Sequence, residues 1–206
     1  MTETHRNITK SPSNDDLQQA QKQFAVNYLT STDLPFKFTR FGPPSSFGAV
    51  NVEQFLLALQ QQQGGIVPGR PPQLRQLQKS ARRRGPEALR QPSHRAELIH
   101  GFLHHELQAA ELFLWAFLRF EDAPIAFRRG LFAIADDEIR HMNLYQQSLA
   151  QLGFEFGAFG VRDWFWDRVP RVTSAASFVA TMSLGFEGGN LDHTTRFADL
   201  FEKIGE

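Results

Sequence analysis

The chain of 206 residues contains no cysteine. That absence removes thiolate zinc, iron–sulfur and cysteine-nucleophile chemistry and leaves histidine and carboxylates as the available metal ligands. Such a hard, mixed nitrogen and oxygen donor set suits iron, with manganese as the alternative. Charge of either sign is not in excess, with 22 Lys and Arg against 22 Asp and Glu, which argues against nucleic acid as an obligatory partner. Long hydrophobic runs are missing too. A bilayer span needs roughly 20 apolar residues, and the longest stretch, starting at Leu112, is stopped by Arg119. The N-terminus, with Glu3, His5, Arg6 and Lys10, lacks the apolar core of a signal peptide, so the expectation is a cytoplasmic protein with no membrane segment. Tyrosine is scarce at 2 residues while phenylalanine reaches 20, a bias that suits large buried helix faces.

Periodicity divides what is present into three parts. Residues 1–20 are polar, without an apolar repeat that could build a core, and are expected to be a disordered tail. Residues 21–92 are expected to form an irregular extension, because Pro35, Gly42, Pro43, Pro44 and Gly48 interrupt the apolar residues after Phe24. Within it, Val52, Phe55, Leu56 and Leu59 predict a short amphipathic helix, and the stretch from Val67 to Pro72 is a Pro/Gly-rich linker. Residues 93–206 predict an all-α domain. One helix, capped by Ser93, runs to about Phe120 and is apolar nearly all round in its second half. A second runs from Asp122–Pro124 to Leu152, with Gly153 as its left-handed cap. An aromatic loop over 154–170 leads to a third helix capped by Thr173, interrupted at Gly188-Gly189 and resuming over 191–204.

Asp122 lies midway between Glu106 and Glu138, so folding the two long helices back on each other there brings those carboxylates level. His141 then sits one turn beyond Glu138 on the same face. A Glu on one helix plus Glu-x-x-His on its neighbour is half the ligand set of ferritin-like di-iron and di-manganese proteins. Both carboxylates are flanked by apolar residues at helical spacing, Leu103 and Ala110 for Glu106, Ile134 and Met142 for Glu138. An inward-facing carboxylate is costly unless a cation accompanies it. Other polar residues rank lower. Glu111 falls about 7 Å off the level of Glu138, which suits an outer partner of the site or a buried hydrogen-bond acceptor. The Glu97/His100 pair repeats Glu-x-x-His, but nine residues place Glu97 on the opposite side of the helix from Glu106. His104 and His105 are favoured as solvent-facing or helix-contact residues and Tyr145 as a core aromatic. Arg82–Arg84 reads as a solvated linker rather than an anion site.

The blocks FLHHELQAAELFLW from Phe102, AFRRGLFAIADDEIRH from Ala126 and FEGGNLD from Phe186, with PGRPPQLR from Pro68 upstream, resemble an uncharacterised bacterial ferritin-like family of the di-iron carboxylate superfamily, known chiefly as a domain of unknown function. The resemblance covers most of the chain after about residue 65. It implies a ferritin-like helical bundle in which Glu106, Glu138, His141 and Glu187 are the metal ligands. It further implies two irons and O₂-dependent hydroxylation or desaturation of an unknown small-molecule substrate, with an external reductant. The same resemblance leads one to expect a fourth helix with a second Glu-x-x-His, which this chain does not carry before Glu206. The expectation is therefore either a C-terminally incomplete bundle or a homo-oligomer in which a partner chain supplies the missing face. Fold does not fix chemistry: iron storage with ferroxidase activity and a metal-free helical interaction module stand as the alternatives.

Overall fold

The computed structural model describes residues 13–42, 50–61, 66–78, 86–187 and 197–202, of which 86 and 184–187 are described for their backbone only. The described residues form an all-α helical bundle with no strand; an isolated parallel bridge joins Gln76 and Val161. The helices are α1 (Asn14–Thr30), α2 (Leu34–Lys37), α3 (Val52–Gln61), α4 (Pro92–Arg119), α5 (Ile125–Gln151) and α6 (Ala175–Val179). A π-helical segment, Ala180–Glu187, continues directly from α6. Short 3-10 turns lie at Pro86–Arg90 and Val169–Arg171. Residues 197–202 are again helical.

The frame is the antiparallel pair α4 and α5, turned through residues 120–124 as the placement of Asp122 and Pro124 requires. From Leu107 to Leu118 every residue of α4 is buried, including Gln108 and Glu111. A helix apolar on all sides must be covered on all sides. One side is covered by α5, whose buried residues Leu131, Ala135, Glu138, Met142 and Leu149 form a stripe at helical spacing. Another is covered by α1. Phe24 of α1 packs edge-on against Phe132 of α5 at 6.0 Å between ring centroids, and Phe132 meets Phe117 of α4 at 5.3 Å. The third is closed by the aromatic segment 154–170, which crosses α4 with Phe156, Phe165 and Val169 buried.

Several local expectations need correction. The boundary at residue 20 is not structural, because α1 runs through it, and the supposed tail and irregular segment together supply a core helix with Phe24, Ala25, Val26, Tyr28 and Leu29 buried. Ser13 caps that helix: its hydroxyl accepts from the Asp16 N–H while the Asp16 carboxylate accepts from the Ser13 N–H. Such reciprocal capping starts a helix even when its first turns are polar. At α4 the cap is Gln91 with Pro92 as first residue, rather than Ser93. Helix α5 starts at Ile125 with Pro124 as its cap, so Asp122 and Ala123 lie in the turn before it. Helix α6 is capped by Ser174, paired with Ser177, rather than by Thr173. Gly153 does adopt the left-handed conformation after α5, at φ 81°. The expectations for Arg82–Arg84 and Gly188-Gly189, and for residues 1–12, lie outside the described residues.

The linker is anchored rather than loose. Gly69 donates its N–H to the Leu29 carbonyl at 2.7 Å, and a Cβ there would stand 2.3 Å from the Thr30 carbonyl oxygen. The close backbone approach at the end of α1 therefore requires glycine. Farther on, Leu77 and Val161 exchange bonds with the crossing segment, Leu77 N–H to the Val161 carbonyl at 2.7 Å and Val161 N–H to the Arg75 carbonyl at 2.9 Å. These contacts stitch 66–78 onto the aromatic crossing and bring Arg70 to α4.

Candidate metal centre

Glu106 comes from the middle of α4, Glu138 and His141 from the middle of α5. One donor atom from each lies within 4.8 Å of the other two. The imidazole Nδ1 of His141 is 3.0 Å from Glu138 Oε2 and 3.8 Å from Glu106 Oε2. Glu138 is buried, and Glu106 and His141 are half-buried. Among the described residues this is the one grouping of three or more His, Asp or Glu side chains whose donors converge in this way. The hairpin explains why: the turn at 120–124 sets the register, and the three-residue step from Glu138 to His141 keeps both on the face turned to α4.

Donors about 2.1 Å from a first-row metal ion stand at most roughly 4.2 Å apart, so closing this triad on one ion needs only small side-chain adjustments. The residues present therefore fit a cation that prefers oxygen and nitrogen. Nε2 of His141 lies 2.9 Å from the Arg140 guanidinium, which can only donate. Nδ1 accordingly carries the ring proton and donates it to Glu138. Arg140 is itself tied to Asp137 at 2.7 Å, and Asp137 Oδ2 lies 3.8 Å from Nε2. Tyr145, one turn beyond His141, is raised above the ordinary tyrosine range by burial and by the nearby Glu106 and Glu138 charges. Its ring packs on Phe102 at 5.9 Å. Glu187, the fourth expected ligand, is the last residue of the π-helical segment, and its side chain lies outside the described residues.

The neighbouring polar residues have separate work. Glu111 is fully buried and accepts from Lys37 Nζ at 2.9 Å, Arg70 at 2.5 Å and Trp166 Nε1 at 2.9 Å. Arg70 also bonds Asp163 at 2.8 Å, and His104 Nε2 meets the same carboxylate at 3.1 Å. Burial opposes ionisation of Glu111, yet Arg70 and Lys37 hold it below the usual carboxylate range. Burial pushes Lys37 below the usual lysine range, against the pull of Glu111. Burial likewise opposes the Asp163 charge, but His104 and Arg70 bring this carboxyl down to about 2. Sequence reasoning identified Glu111 and missed Lys37, Arg70, Asp163 and Trp166. Their partners lie 41 to 74 positions away or in the aromatic crossing, and no local spacing announces such pairs.

His104 is thus buried in this cluster and not solvent-facing, while His105 is exposed and stacks on Phe165 at 5.1 Å. His100 is buried as well, and its Nε2 accepts the Gly157 N–H at 2.9 Å. Gly157 can present that N–H because its φ of 114° is open to glycine. Burial, aided by His104, depresses the His100 imidazole from 6.5 to about 4. A histidine depressed in the folded state stabilises the fold above pH 6.5 and loses that contribution as pH falls towards 4. The expected loss is up to about 3 kcal/mol. Melting curves of wild type and His100→Gln between pH 7 and pH 4 check this: the variant should decline less steeply, and parallel declines would contradict it.

Residues 37–206 match the sequence profile of a family described as a protein of unknown function, DUF455. The chain belongs to the DUF455 family. Both helices of the candidate metal centre, the cluster around Glu111 and the aromatic crossing fall inside the DUF455 region, and α1 precedes it. The chain is also similar to the DNA mismatch repair protein MutL of Geobacter sp. (strain M21), 39% identical over 61 residues, 29% of this chain. It spans only 9% of that protein's length. No solved structure matches the chain significantly.

Proposed function

We propose that this DUF455 protein is a ferritin-like metalloprotein that binds iron through Glu106, Glu138 and His141, with Glu187 as a further ligand, and oxidises a small organic substrate with O₂. The observation that supports this reading is the convergence of two carboxylates and one imidazole from two facing helices in a partly buried setting. Iron held there would supply O₂-dependent redox chemistry, for which manganese is the alternative metal. In a hydroxylation, one oxygen atom enters a substrate C–H bond and the other leaves as water. The substrate gives two electrons, and an external reductant gives two more together with two protons.

The chain's own residues prepare the site. The two carboxylates provide charge to neutralise a cation, and Nδ1 of His141 is the ring atom turned to both of them. A metal ion held there would need the Nδ1 lone pair of His141, so the ring proton now given to Glu138 would move to Nε2 by tautomerisation. Arg140 must then yield its place, and Asp137 is the nearby acceptor for Nε2–H. Three described donors suffice for one ion, whereas a complete two-ion site of this class uses four carboxylates and two histidines.

Anaerobic titration of the 206-residue protein with Fe(II), followed by measured O₂ uptake, tests the proposal. The expected result is at least one tightly held iron per chain, with O₂ consumption that tracks bound iron and stops after about one turnover without reductant. No iron binding above a bovine serum albumin control would overturn it. Continued oxidation of many iron equivalents per chain would favour a ferroxidase instead.

A further inference from the structure

A cavity of about 370 Å³ opens between α4, α5, α6 and the π-helical segment, and Glu138 is part of its wall. Its floor is apolar and buried: Phe113 from α4, Leu131 from α5 and Met182 from the π segment. Ile134 and Val179 form its rim and are 44% and 38% exposed. Among the described residues Glu138 is the one charged group that lines it, and Ser183 the one other polar side chain.

Two features of the chain mark this cavity. Gly130 lines the cavity from within α5, where glycine costs a helix roughly 0.5–1 kcal/mol relative to alanine. A Cβ at Gly130 would meet nothing within 4 Å, so packing does not demand glycine there, and a longer side chain would grow into open space. The opposite wall is the π segment, and π-helical turns are rare and concentrate at functional sites. A volume of this size lies within the roughly 300–1,000 Å³ of small-molecule pockets, which are apolar with a few convergent polar groups. Among the described residues, the walls offer no cation to receive an anion and, besides Glu138, no anion to receive a cation.

We propose that this cavity binds an uncharged, predominantly apolar small molecule, aliphatic or aromatic, with one end held against Glu138. That placement makes the molecule the substrate class of the proposed metal site, an assignment that rests on the metal reading, whereas binding to the cavity does not. Glu138 then serves both rooms: one face of it joins Glu106 and His141, and the cavity delivers an apolar group to the same carboxylate.

The neutral dye N-phenyl-1-naphthylamine, which brightens in apolar surroundings, is the probe. Wild type is expected to bind it saturably at one site per chain. Gly130→Leu should fill the cavity and weaken binding at least tenfold, with unchanged helical content and unchanged Fe(II) binding. Ile134→Asp, at an exposed rim position, should weaken it similarly and decides the matter if Gly130→Leu fails to fold. Equal dye affinity in wild type and the variants, or unsaturable binding, overturns the cavity assignment even if iron binds. Dye binding lost in the variants, in a protein that holds no iron, would sustain the cavity and remove the metal reading.

Discussion

Glu138→Ala is expected to abolish tight iron binding, by at least a hundredfold in affinity, while far-UV circular dichroism stays at the wild-type level. Glu138 is the best buried of the three converging donors, and its Oε2 lies 3.0 Å from His141 Nδ1. Without it, the described donors left are a single carboxylate and imidazole, Glu106 and His141, 3.8 Å apart, and even with Glu187 added the site loses one negative charge and its best buried ligand. The fold should tolerate the change. Alanine is the best helix former, and the His141 imidazole that loses its acceptor is exposed enough to bond to water. A stability change within about 1 kcal/mol is expected. Iron analysis after gel filtration, beside the circular dichroism spectrum, is the measurement. Wild-type iron occupancy in the variant would remove Glu138 from the ligand set.

Glu111→Ala should have the opposite profile, a large loss of stability with no direct effect on the metal donors. Lys37 and Glu111 are both fully buried, and Arg70 is nearly so. Truncating the carboxylate removes the buried Lys37 ammonium's counter-charge, leaves Arg70 with Asp163 alone and strands the Trp166 N–H. Breaking a buried pair in this way costs about 3–5 kcal/mol. A domain is stable by only about 5–15 kcal/mol, so the midpoint of urea unfolding should fall sharply. Glu111→Gln, which keeps one accepting oxygen but not the charge, should lie between the two. A midpoint unchanged by Glu111→Ala would mean that the network contributes nothing net.

The contrast between these two glutamates shows what a one-dimensional pattern carries. Glu106, Glu138 and His141 were legible because the information that brings them together is local: two long periodic helices, one turn at Asp122 and Pro124, and a three-residue step on one face. Helix α1 was not legible, although its capping box at Ser13 and Asp16 was there to be read. Its first turns are polar, and the prolines and glycines after residue 34 disguised the apolar run at Phe24 to Leu29 as irregular structure. Tertiary burial against α4 and α5 overrode that impression. For His104 the pattern left a solvent-facing and a helix-contact role open, and the returning aromatic segment covers it and supplies Asp163.

By itself the sequence determined the all-helical class, the α4–α5 hairpin and its register, since apolar period and turn chemistry act over a few residues. It also determined which donor types were available for a metal. Only the tertiary structure decided that Lys37 and Arg70 would neutralise Glu111, that segment 66–78 would be pinned beneath the aromatic crossing, and that a cavity would open beside Glu138. Those outcomes depend on chain segments meeting across 40 or more positions. There, burial makes each charge too costly to leave alone and each unfilled volume a property of several helices at once.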